Sequence, residues 1–580
     1  MRFNTKNGNL KKLGALLSFS VVNLLYMHYY FYVRDLFEAD LFVYSILFNF
    51  LSVCFDVSIL FMLFLLVTRN HEKVSSLLTY VITWLWAMAN IVYGDFFDQY
   101  ISISSLAQIE NLFEGIVVDS VVANVGRVEL YFVFSFPIFF ITYLFLDNIS
   151  IDRNTWLLFI LIPCLSLLIT FFVYSGYHFV NSQTRSNIEL YLGRVKDYMF
   201  VGGNEKNAGV NKMRFHVGCV RYLLSDLYDY LNPRKLTDSE KAEIKDVLNI
   251  STGKSTNNTV NPNLKNVAII LLESFLSISS DMKIDNKSVT PFLDSLKHSS
   301  NVYYNGHVNS NITLGESGDG QFIYMTGILP CRNKITTGEV YGHSLPALPS
   351  ILKQHFGVKY TEIVIPTIPK IWMQDKMNLV YGIDNMYCSR NYNQDENGTL
   401  TDEQVFDMAS NTRKSSNQPF FTMVLSISTH QPYVDILDNS FIINKDTFSE
   451  PFRCYLNACH YADVQIRKYL NHLKEIGQYD NTLICIVADH QPNMKTFEMG
   501  EKIPQELPLY IINGGFDVDG AYDGVCNQLD IFTTILDILN VNSEWKGLGR
   551  SLLSPDYDNV VTPDLYRISE LIIEGDYFSN

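Results

Sequence analysis

The sequence predicts an α-helical membrane domain of about five transmembrane helices, followed by an α/β domain. Two observations lead to this fold class. Five apolar runs precede residue 178, and strand-like runs alternate with helix-like runs after residue 262. A helix that crosses a bilayer needs roughly 20 apolar residues, and such alternation is typical of a parallel sheet covered by helices. We therefore expect a transmembrane domain at 1–177, a helical linker at 178–262 and an α/β domain at 263–580.

The apolar runs of the N-terminal part have the length and composition of membrane spans. They lie at about 13–33, 41–67, 76–94, 129–146 and 156–175. Their lack of charge argues against a soluble helical bundle, because a soluble helix needs a polar face. The first run is too long for a cleaved signal and lacks a small-residue cleavage site, so we interpret it as a retained anchor.

Basic residues beside these runs predict the orientation of the helices, since Lys and Arg are retained on the cytoplasmic side. Four basic residues precede the first run, three more lie in alternate loops, and the intervening loops are mainly acidic. The basic residues are Arg2, Lys6, Lys11, Lys12, Arg69, Lys73 and Arg153. This bias predicts a cytoplasmic N-terminus in the cell (inner or cytoplasmic) membrane. An odd number of spans then places the chain after Tyr177 outside the cytoplasm.

Strand-like and helix-like runs alternate in the α/β domain, which favours a parallel βαβ sheet. Two helices begin with a capping box, in which a Thr and a Glu or Gln three residues later satisfy each other's backbone N–H groups. These boxes lie at Thr237–Glu240 and Thr401–Gln404. Predicted strands are 266–273, 359–365, 420–428, 482–489 and 507–513. Predicted helices are 290–298, 317–327, 347–355, 401–413 and 453–475.

Two of the predicted strands end abruptly on residue types that bind metal ions. The apolar run 482–488 is followed by Asp489 and His490, and the run 266–272 is followed by Glu273. Neither run alternates apolar and polar residues, as expected for strands buried on both faces. Ligands of open α/β sheets bind beyond the carboxyl ends of the strands, and carboxylate with imidazole suits a divalent cation. The alternative is a capping Asp beside a solvated His.

A glycine-rich segment, Gly315–Phe322, lies between these strands in the sequence. Its glycines permit a close approach of the backbone to a ligand, and the apolar run that follows predicts a helix whose N-terminus faces a phosphate. Ser317 would lie at the start of this helix. A hydroxyl that touches a divalent cation there has a lowered pKa and a positive field for an incoming phosphoryl group. An ordinary turn with Ser317 as the helix N-cap is the alternative.

These motifs in this order resemble the lipoteichoic acid synthase-like phosphoglycerol transferases, a membrane-anchored family of the alkaline phosphatase and sulfatase superfamily. The resemblance covers about residues 262 to 555 and implies an exported α/β domain of the alkaline phosphatase and sulfatase type. The motifs that carry it are Glu273-Ser274-Phe275, the Gly-x-Ser-x-Asp-x-x-Phe segment from Gly315 to Phe322, Ser344-Leu345-Pro346, Trp372, Ser428-Thr429-His430-Gln431-Pro432-Tyr433 and Ala488-Asp489-His490.

The resemblance implies a metal site and a nucleophile. Glu273, Asp489 and His490 would bind one divalent metal ion, and Ser317 would complete its ligands and act as the catalytic nucleophile. The ion would be manganese or magnesium, as in one branch of the family, or zinc, as in its phosphoethanolamine branch. The family usually has Thr in place of Ser317, and the change keeps the hydroxyl.

The resemblance also implies residues that bind the substrate, namely His430, Trp372 and Gln374. His430 would contact the phosphate and protonate the leaving oxygen, and Trp372 would form an aromatic wall of the head-group pocket. A structural His and a core Trp are the alternatives. Gln374 stands where the family has Arg, and Glu316 where it often has Lys. The loss of a bidentate phosphate clamp leaves the identity of the donor head group open.

The activity that the resemblance implies is transfer of glycerophosphate or phosphoethanolamine from a membrane phospholipid to a glycan or lipid acceptor of the cell envelope, through a covalent intermediate on Ser317. A phosphatase or sulfatase is the alternative, but a sulfatase needs Cys or Ser followed by x-Pro-x-Arg, and 317–321 lacks both Pro and Arg. A non-catalytic binding module would have no reason to retain costly clustered charges. The net charge of −16 argues against nucleic acid as a partner.

Overall fold

The computed structural model describes most of the chain, and its helices and strands form two compact units. The units are Met1–Leu106 with Asn124–Pro233, and Ala107–Ala123 with Arg234–Asn580. The described residues are 2–34, 42–97, 101–103, 127–146, 149, 159–165, 218–251, 261–332, 334–393, 398–413, 418–433, 443, 448–492, 497, 503–515, 522–558 and 561–579.

The first unit is helical over its described residues. Its helices are α1 (Arg2–Arg34), α2 (Phe42–Val67), α3 (Glu72–Phe97), α4 (Arg127–Phe145) and α5 (Cys219–Leu231). Four of the five predicted apolar runs fall on α1 to α4. Of the fifth run, residues 159–165 are helical, and the remainder lies outside the described residues. The described stretches that are long and apolar enough to cross a membrane are Asn9–Tyr30, Phe50–Val67 and Glu72–Gly94, and Tyr131–Phe145 is a shorter apolar helix.

Buried polar side chains join the helices of this unit. Asp56, on α2, accepts hydrogen bonds from the backbone N–H groups of Cys219 and Val220, which have no partner within the first turn of α5. The hydroxyl of Tyr131, on α4, donates to Asn23 Oδ1, on α1, at 3.1 Å. Polar groups inside apolar helices are costly unless they are paired, so these contacts select one packing arrangement.

The second unit is an α/β domain built around one eight-stranded sheet. Its strands are β1 (Asn266–Leu272), β2 (Lys283–Ile284), β3 (Lys287–Ser288), β4 (Val302–Asn309), β5 (Tyr360–Val364), β6 (Asn385–Tyr387), β7 (Phe420–Leu425), β8 (Thr482–Ala488), β9 (Leu507–Ile512) and β10 (Cys526–Asn527). The order in the sheet is β10-β4-β9-β8-β1-β7-β5-β6, and β2 and β3 form a separate antiparallel pair.

Helices cover this sheet and share its hydrophobic core. They are α6 (Asp238–Ser251), α7 (Ile278–Asp281), α8 (Pro291–Leu296), α9 (Glu316–Thr326), α10 (Thr336–Val340), α11 (Leu348–His355), α12 (Gln374–Tyr381), α13 (Ser389–Asn393), α14 (Asp402–Arg413), α15 (Glu450–Glu475), α16 (Gln528–Ile538) and α17 (Pro563–Glu574). Among them α9 packs against α16, and α14 packs against α15.

The five strands and five helices predicted for this domain are all present. Both predicted capping boxes form. The backbone N–H of Thr237 donates to Glu240 Oε2 at 2.8 Å, and that of Thr401 donates to Gln404 Oε1 at 3.0 Å. Local patterns of hydrophobicity and capping were therefore sufficient for these elements.

The sheet is mixed, so the predicted parallel arrangement is confirmed for β8, β1, β7 and β5 but was wrong for β9. β9 runs antiparallel to both β8 and β4. The described part of the connection from β8 to β9 contains no α-helix, and a parallel crossover usually contains one. β4 was not predicted, because Asn305 and Gly306 interrupt its apolar pattern. The register of β4 against β9 shifts between Asn305 and Val308, as expected at a β-bulge.

The register of the two central strands positions the candidate site. β1 and β8 are parallel and fully buried, and their last residues, Leu272 and Ala488, are paired. Where two parallel strands end at the same level, the residues that follow them lie side by side. Glu273 and Asp489 therefore leave the sheet together at one edge.

A fully buried ion pair joins β5 to α14. Glu362 Oε2 lies 2.8 Å from Arg413 Nη2, and neither side chain is exposed. The guanidinium also lies over the rings of Tyr360 and Phe420, at 4.7 and 4.5 Å from their centroids. Burial raises the pKa of Glu362, and the charge of Arg413 opposes that rise. The carboxylate thus depends on Arg413 to remain ionised.

Arg413→Met should lower the free energy of unfolding by about 3–5 kcal/mol, because it leaves a buried carboxylate without a counter-ion. The double variant with Glu362→Gln should recover much of that loss. Lys468→Met is the matched control. It removes one partner of the half-exposed Lys468–Glu403 pair and should cost under about 1 kcal/mol. Thermal unfolding of the purified protein would compare the variants, and equal losses for Arg413→Met and Lys468→Met would contradict this role of Arg413.

Candidate active site

Four side chains converge beyond the carboxyl ends of β1 and β8. Glu273 follows β1, Asp489 and His490 follow β8, and Ser317 is the second residue of α9. One ligand atom from each of Glu273, Asp489 and His490 lies within 4.8 Å of the others. Ser317 Oγ donates to Glu273 Oε2 at 2.9 Å and lies 3.2 Å from His490 Nε2. The structure thus brings together the four residues that were predicted to bind a metal ion.

Backbone hydrogen bonds hold the two carboxylates next to each other. The N–H of Asp489 donates to the carbonyl of Leu272 at 3.0 Å, which extends the ladder between the two strands by one residue. Asp489 Oδ1 accepts hydrogen bonds from the backbone N–H groups of Ser274 at 2.8 Å and of His490 at 2.7 Å. Ser274 has a left-handed φ of 47°, so the chain turns directly after Glu273.

The glycines around Ser317 bring α9 close to the rest of the site. A Cβ on Gly320 would lie 2.4 Å from the carbonyl oxygen of Asp489, and a Cβ on Gly318 would lie 3.1 Å from the indole of Trp372. Only a residue without a side chain lets α9 pack this closely on the end of β8. The close approach that we expected toward a ligand is therefore made toward the protein itself.

Ser317 is not the N-cap of α9, so the alternative of a simple helix cap was wrong. The N-cap is Gly315, and the Ser317 hydroxyl points to Glu273 and His490. The loop before the helix is held by Asp319, whose Oδ2 accepts the N–H groups of Thr313 at 3.0 Å and Gly315 at 2.8 Å. Burial raises the pKa of Asp319. Asp319 belongs to the Gly-x-Ser-x-Asp motif, but its place in the sequence did not indicate this role.

The two histidines of the site share one hydrogen-bonding pattern. His430 and His490 each begin a His-Gln-Pro segment, after β7 and β8 respectively. Each Nδ1 contacts the carbonyl of the following residue, Gln431 or Gln491. A carbonyl only accepts, so Nδ1 carries a hydrogen, and Nε2 is the ring nitrogen that remains for other contacts. The repeated His-Gln-Pro is a sequence signal from which this pairing could have been predicted.

The cluster carries closely spaced charges in a buried place. Burial and the charge of Glu273 raise the pKa of Asp489. Burial opposes ionisation of Glu273, but the hydrogen bond and charge of His490 outweigh it and lower the pKa of Glu273. Burial disfavours the charged form of His490, but the two carboxylates outweigh it and raise its pKa. Two carboxylates this close are stabilised by an added proton or cation.

A divalent metal ion fits the chemistry of this cluster. Carboxylate and hydroxyl oxygens with one imidazole nitrogen are ligands that manganese, magnesium and zinc accept to different degrees. Glu273, Asp489 and His490 are 5, 2 and 7% exposed, so water provides little screening of their charges. Such a cluster, with His490 Nε2 close to both Glu273 and Ser317, is suited to one cation.

The three residues predicted to bind substrate lie in different surroundings. Trp372 packs against Gly318, next to Ser317, and has a left-handed φ of 52°. His430 lies close enough to Glu273 that its protonated form would lower the pKa of that carboxyl. Gln374 is buried and exchanges amide hydrogen bonds with Gln321. The structure therefore brings Trp372 and His430 to the cluster, whereas the side-chain amide of Gln374 is hydrogen-bonded to Gln321.

Gln528 is a site residue that the sequence did not indicate. Its Nε2 donates to the carbonyl of Asp489 at 2.6 Å, and its Oε1 accepts the N–H of Asn311 at 2.7 Å. The side chain is fully buried. Asn311 and Gln528 are 217 residues apart in the chain, and no local pattern predicts such a contact.

Asp402 holds the segment that leads to His430. Asp402 Oδ1, at the start of α14, accepts the N–H groups of Ile427 at 2.7 Å and Ser428 at 3.1 Å. Burial raises the pKa of Asp402 to about 6. The position of His430 therefore depends on a buried acid outside the cluster.

Comparison with known proteins agrees with this geometry. Residues 265–541 match the family model described as Sulfatase, and this range contains Glu273, Ser317, Asp489 and His490. Residues 265–541 form a sulfatase-family domain. Its order of strands places all four side chains at one edge of the sheet.

The sulfatase-family domain has relatives among lipoteichoic acid synthases. The chain is 26% identical over 320 residues to lipoteichoic acid synthase 2 of Bacillus subtilis strain 168, covering 51% of this chain and 48% of that protein. It is 24% identical over 337 residues to lipoteichoic acid synthase of Staphylococcus aureus strain USA300, covering 54% and 52%. The chain spans about half the length of the curated relatives it matches.

Most of the chain also aligns with a solved membrane protein. Lipooligosaccharide phosphoethanolamine transferase A (EptA) from Neisseria meningitidis aligns over 92% of this chain and 97% of its own, with a TM-score of 0.57 and 14% identity. This likeness shows a shared fold, in which an apolar helical part precedes the sulfatase-family domain.

Glu273→Gln and Asp489→Asn should each abolish tight binding of a divalent metal ion, because each removes one of the two carboxylates of the cluster. Asp402→Asn is the matched control, since it neutralises a buried acid outside the cluster and should keep the metal. Elemental analysis of the purified full-length variants would measure the metal content. Stoichiometric metal in Asp489→Asn would contradict the site.

Asp402 also predicts a pH dependence of stability. Above about pH 6 it is ionised in the folded and unfolded chains, and the full cost of burying its charge is present. As the pH falls below this value, the folded chain takes up the proton before the unfolded chain does, and the cost decreases until it is lost near the ordinary Asp pKa of 3.8. The melting temperature of Asp402→Asn relative to the parent should therefore be highest near about pH 7 and decrease toward about pH 5. Thermal scans at both values would detect the change, and a constant difference would refute it.

Proposed function

We propose that the protein is a metal-dependent phosphotransferase that moves a phospho-head group, either glycerophosphate or phosphoethanolamine, from a membrane phospholipid to a glycan or lipid acceptor of the cell envelope. The observation that carries this proposal is the Ser317 hydroxyl at the start of α9, bonded to Glu273 and next to His490. The sulfatase-family domain and the similarity to lipoteichoic acid synthases support the reaction class.

Ser317 is the nucleophile in this proposal. Glu273 Oε2 accepts its hydroxyl hydrogen at 2.9 Å, which orients the oxygen. A divalent ion held by Glu273, Ser317, Asp489 and His490 would supply positive charge that favours the ionised hydroxyl and offsets the charge of the phosphoryl group. The free N–H groups and the dipole at the N-terminus of α9 favour a phosphate at the same place.

The reaction proceeds in two balanced steps. Ser317 Oγ forms a bond to the phosphorus of the donor, the bond from phosphorus to the diacylglycerol oxygen breaks, and that oxygen takes up a proton from His430. The proton that leaves the Ser317 hydroxyl then restores His430. An acceptor hydroxyl then attacks the same phosphorus, Ser317 Oγ leaves, and the proton of the acceptor returns to Ser317. His430 suits the first proton transfer, because an imidazole can both donate and accept a proton.

The membrane part gives this reaction access to its donor. We propose that the protein lies in the cell membrane, with residues after about 177 outside the cytoplasm. The apolar helices α1 to α3 and the basic N-terminal tail support this orientation. Ser317 and the phospholipids of the outer leaflet would then be on the same side of the membrane.

A hydrolase is the second candidate, because the matched family is described as Sulfatase. The segment after Ser317 lacks the Pro and Arg that a sulfatase needs to form formylglycine. In a hydrolase that uses Ser317, water would take the place of the acceptor in the second step. Transfer to an added acceptor distinguishes the two.

Ser317→Ala should reduce diacylglycerol release and head-group transfer by about 1,000-fold or more, because it removes the atom that carries the intermediate. Labelled phosphatidylglycerol and phosphatidylethanolamine, supplied separately, would identify the donor. Ser274→Ala is the matched control. It removes a second hydroxyl that is bonded to Glu273, at 2.7 Å, and should retain activity within about tenfold. Near-normal diacylglycerol release by Ser317→Ala would refute the covalent course.

A reporter fused to the C-terminus should lie outside the cytoplasm, since the basic bias places the N-terminus inside. A fused alkaline phosphatase should be active, and a fused green fluorescent protein should be dark. The reverse pattern would overturn both the orientation and the assignment of an exported enzyme. The same fusions to residue 70, between α2 and α3, should give the opposite result, because the topology places that turn in the cytoplasm.

A further inference from the structure

A polar groove lies beside the catalytic cluster, next to β4, β9 and β10. Its volume is about 600 Å³. Five carboxamide side chains and one carboxylate line it, together with smaller groups. These six residues are Asn309, Asn311, Gln491, Gln505, Asn527 and Glu506. The lining is therefore rich in groups that both donate and accept hydrogen bonds.

The groove lies at the same edge of the sheet as the catalytic cluster. β4 is parallel to β8, because β9 lies between them and is antiparallel to both. The end of β4, at Asn309, therefore lies at the edge where Asp489 follows β8. Gln491 directly follows His490, and Asn311 precedes Ser317 by six residues. Two segments that line the groove therefore lead directly to His490 and Ser317 in the sequence.

One buried side chain holds the groove and the cluster in a fixed relation. Gln528 Nε2 donates to the carbonyl of Asp489, and Gln528 Oε1 accepts the N–H of Asn311. Asn311 in turn donates to Asn527 Oδ1 at 3.4 Å and accepts the N–H of Leu529 at 3.2 Å. These hydrogen bonds give the floor of the groove a defined structure.

The chemistry of the lining suits a ligand with many hydroxyl groups and no charge. A carboxamide pairs with hydroxyls through both its carbonyl and its N–H groups. Gln491 Oε1 is buried and has no hydrogen-bond partner in the described structure, so it can accept a hydroxyl of a ligand. The lining contains no Lys or Arg among the described residues, and Glu506 disfavours an anion.

The groove is separate from the residues predicted to hold the donor head group. Trp372 follows β5 and His430 follows β7, and both strands lie on the other side of β1 from β4 and β9. The cluster therefore lies between a head-group side and an amide-lined side of the same edge.

We propose that this groove binds the acceptor, and that the acceptor presents a neutral glycan rather than an anionic polyol phosphate. This inference rests on the proposed function, because it names the acceptor of that reaction. In the transfer step, a glycan hydroxyl oxygen forms a bond to the phosphorus carried by Ser317 Oγ. The bond from phosphorus to Oγ breaks, and the hydroxyl proton ends on Ser317.

The test uses the full-length protein and two acceptor probes with the same dodecyl chain, one ending in maltose and one in glycerophosphate. Asn309→Ala combined with Gln505→Ala removes two exposed lining amides for which the described structure has no side-chain hydrogen bond. The ratio of transfer onto the maltoside to diacylglycerol release should fall about tenfold, because two hydrogen bonds to the acceptor are lost. Asn471→Ala, on the exposed face of α15, is the control and should leave the ratio unchanged.

The possible results distinguish a failure of the acceptor groove from a failure of the proposed function. An unchanged ratio in the double variant, or faster transfer onto the glycerophosphate probe than onto the maltoside, would overturn the inference while leaving the proposed function intact. Absence of diacylglycerol release from the parent with either phospholipid would instead refute the proposed function. Binding of maltose, measured by saturation-transfer NMR, needs no reaction and would then test glycan binding to the groove by itself. Loss of the signal in the double variant supports the groove, and an unchanged signal refutes it.

Discussion

The parallel register of β1 and β8, with Leu272 opposite Ala488, is the constraint on which the candidate site depends. Because both strands end at this pair, Glu273 and Asp489 emerge at the same height and share a backbone hydrogen bond network. A slip by one residue would turn every side chain of a strand to the other face. Both faces of these strands are buried, so such a slip would require repacking of the core on each side, and the hydrophobic core therefore determines the geometry of a polar site.

The register has an electrostatic consequence. Two carboxylates and an imidazole are forced together where water is excluded, and such an arrangement is stable only with a compensating charge. The same charges orient the hydroxyl of Ser317 through Glu273. In the proposed reaction, cation binding and activation of Ser317 would therefore have one cause. The close packing of Gly320 on Asp489 is what allows α9 to deliver Ser317 to this place.

The antiparallel strand β9 divides the catalytic edge into two sides of different character. On one side, the parallel strands β7 and β5 lead to His430 and Trp372. On the other, the reversed direction of β9 sets residues before that strand next to the end of β4, and amide side chains collect there. In the proposed reaction, the donor head group and the acceptor would occupy these two sides, and the acceptor hydroxyl would reach the phosphorus from the amide-lined side.

The sequence was sufficient for the apolar helices, the central strands, both capping boxes and the residues at the ends of β1 and β8. Each of these is encoded locally, by hydrophobic period, run length or side chains within four residues of each other. The direction of β9, the bridge from Gln528 to Asp489 and Asn311, and the buried pair of Glu362 and Arg413 depend on residues far apart in the chain. Such contacts form only when the core brings distant segments together, and no local pattern encodes them.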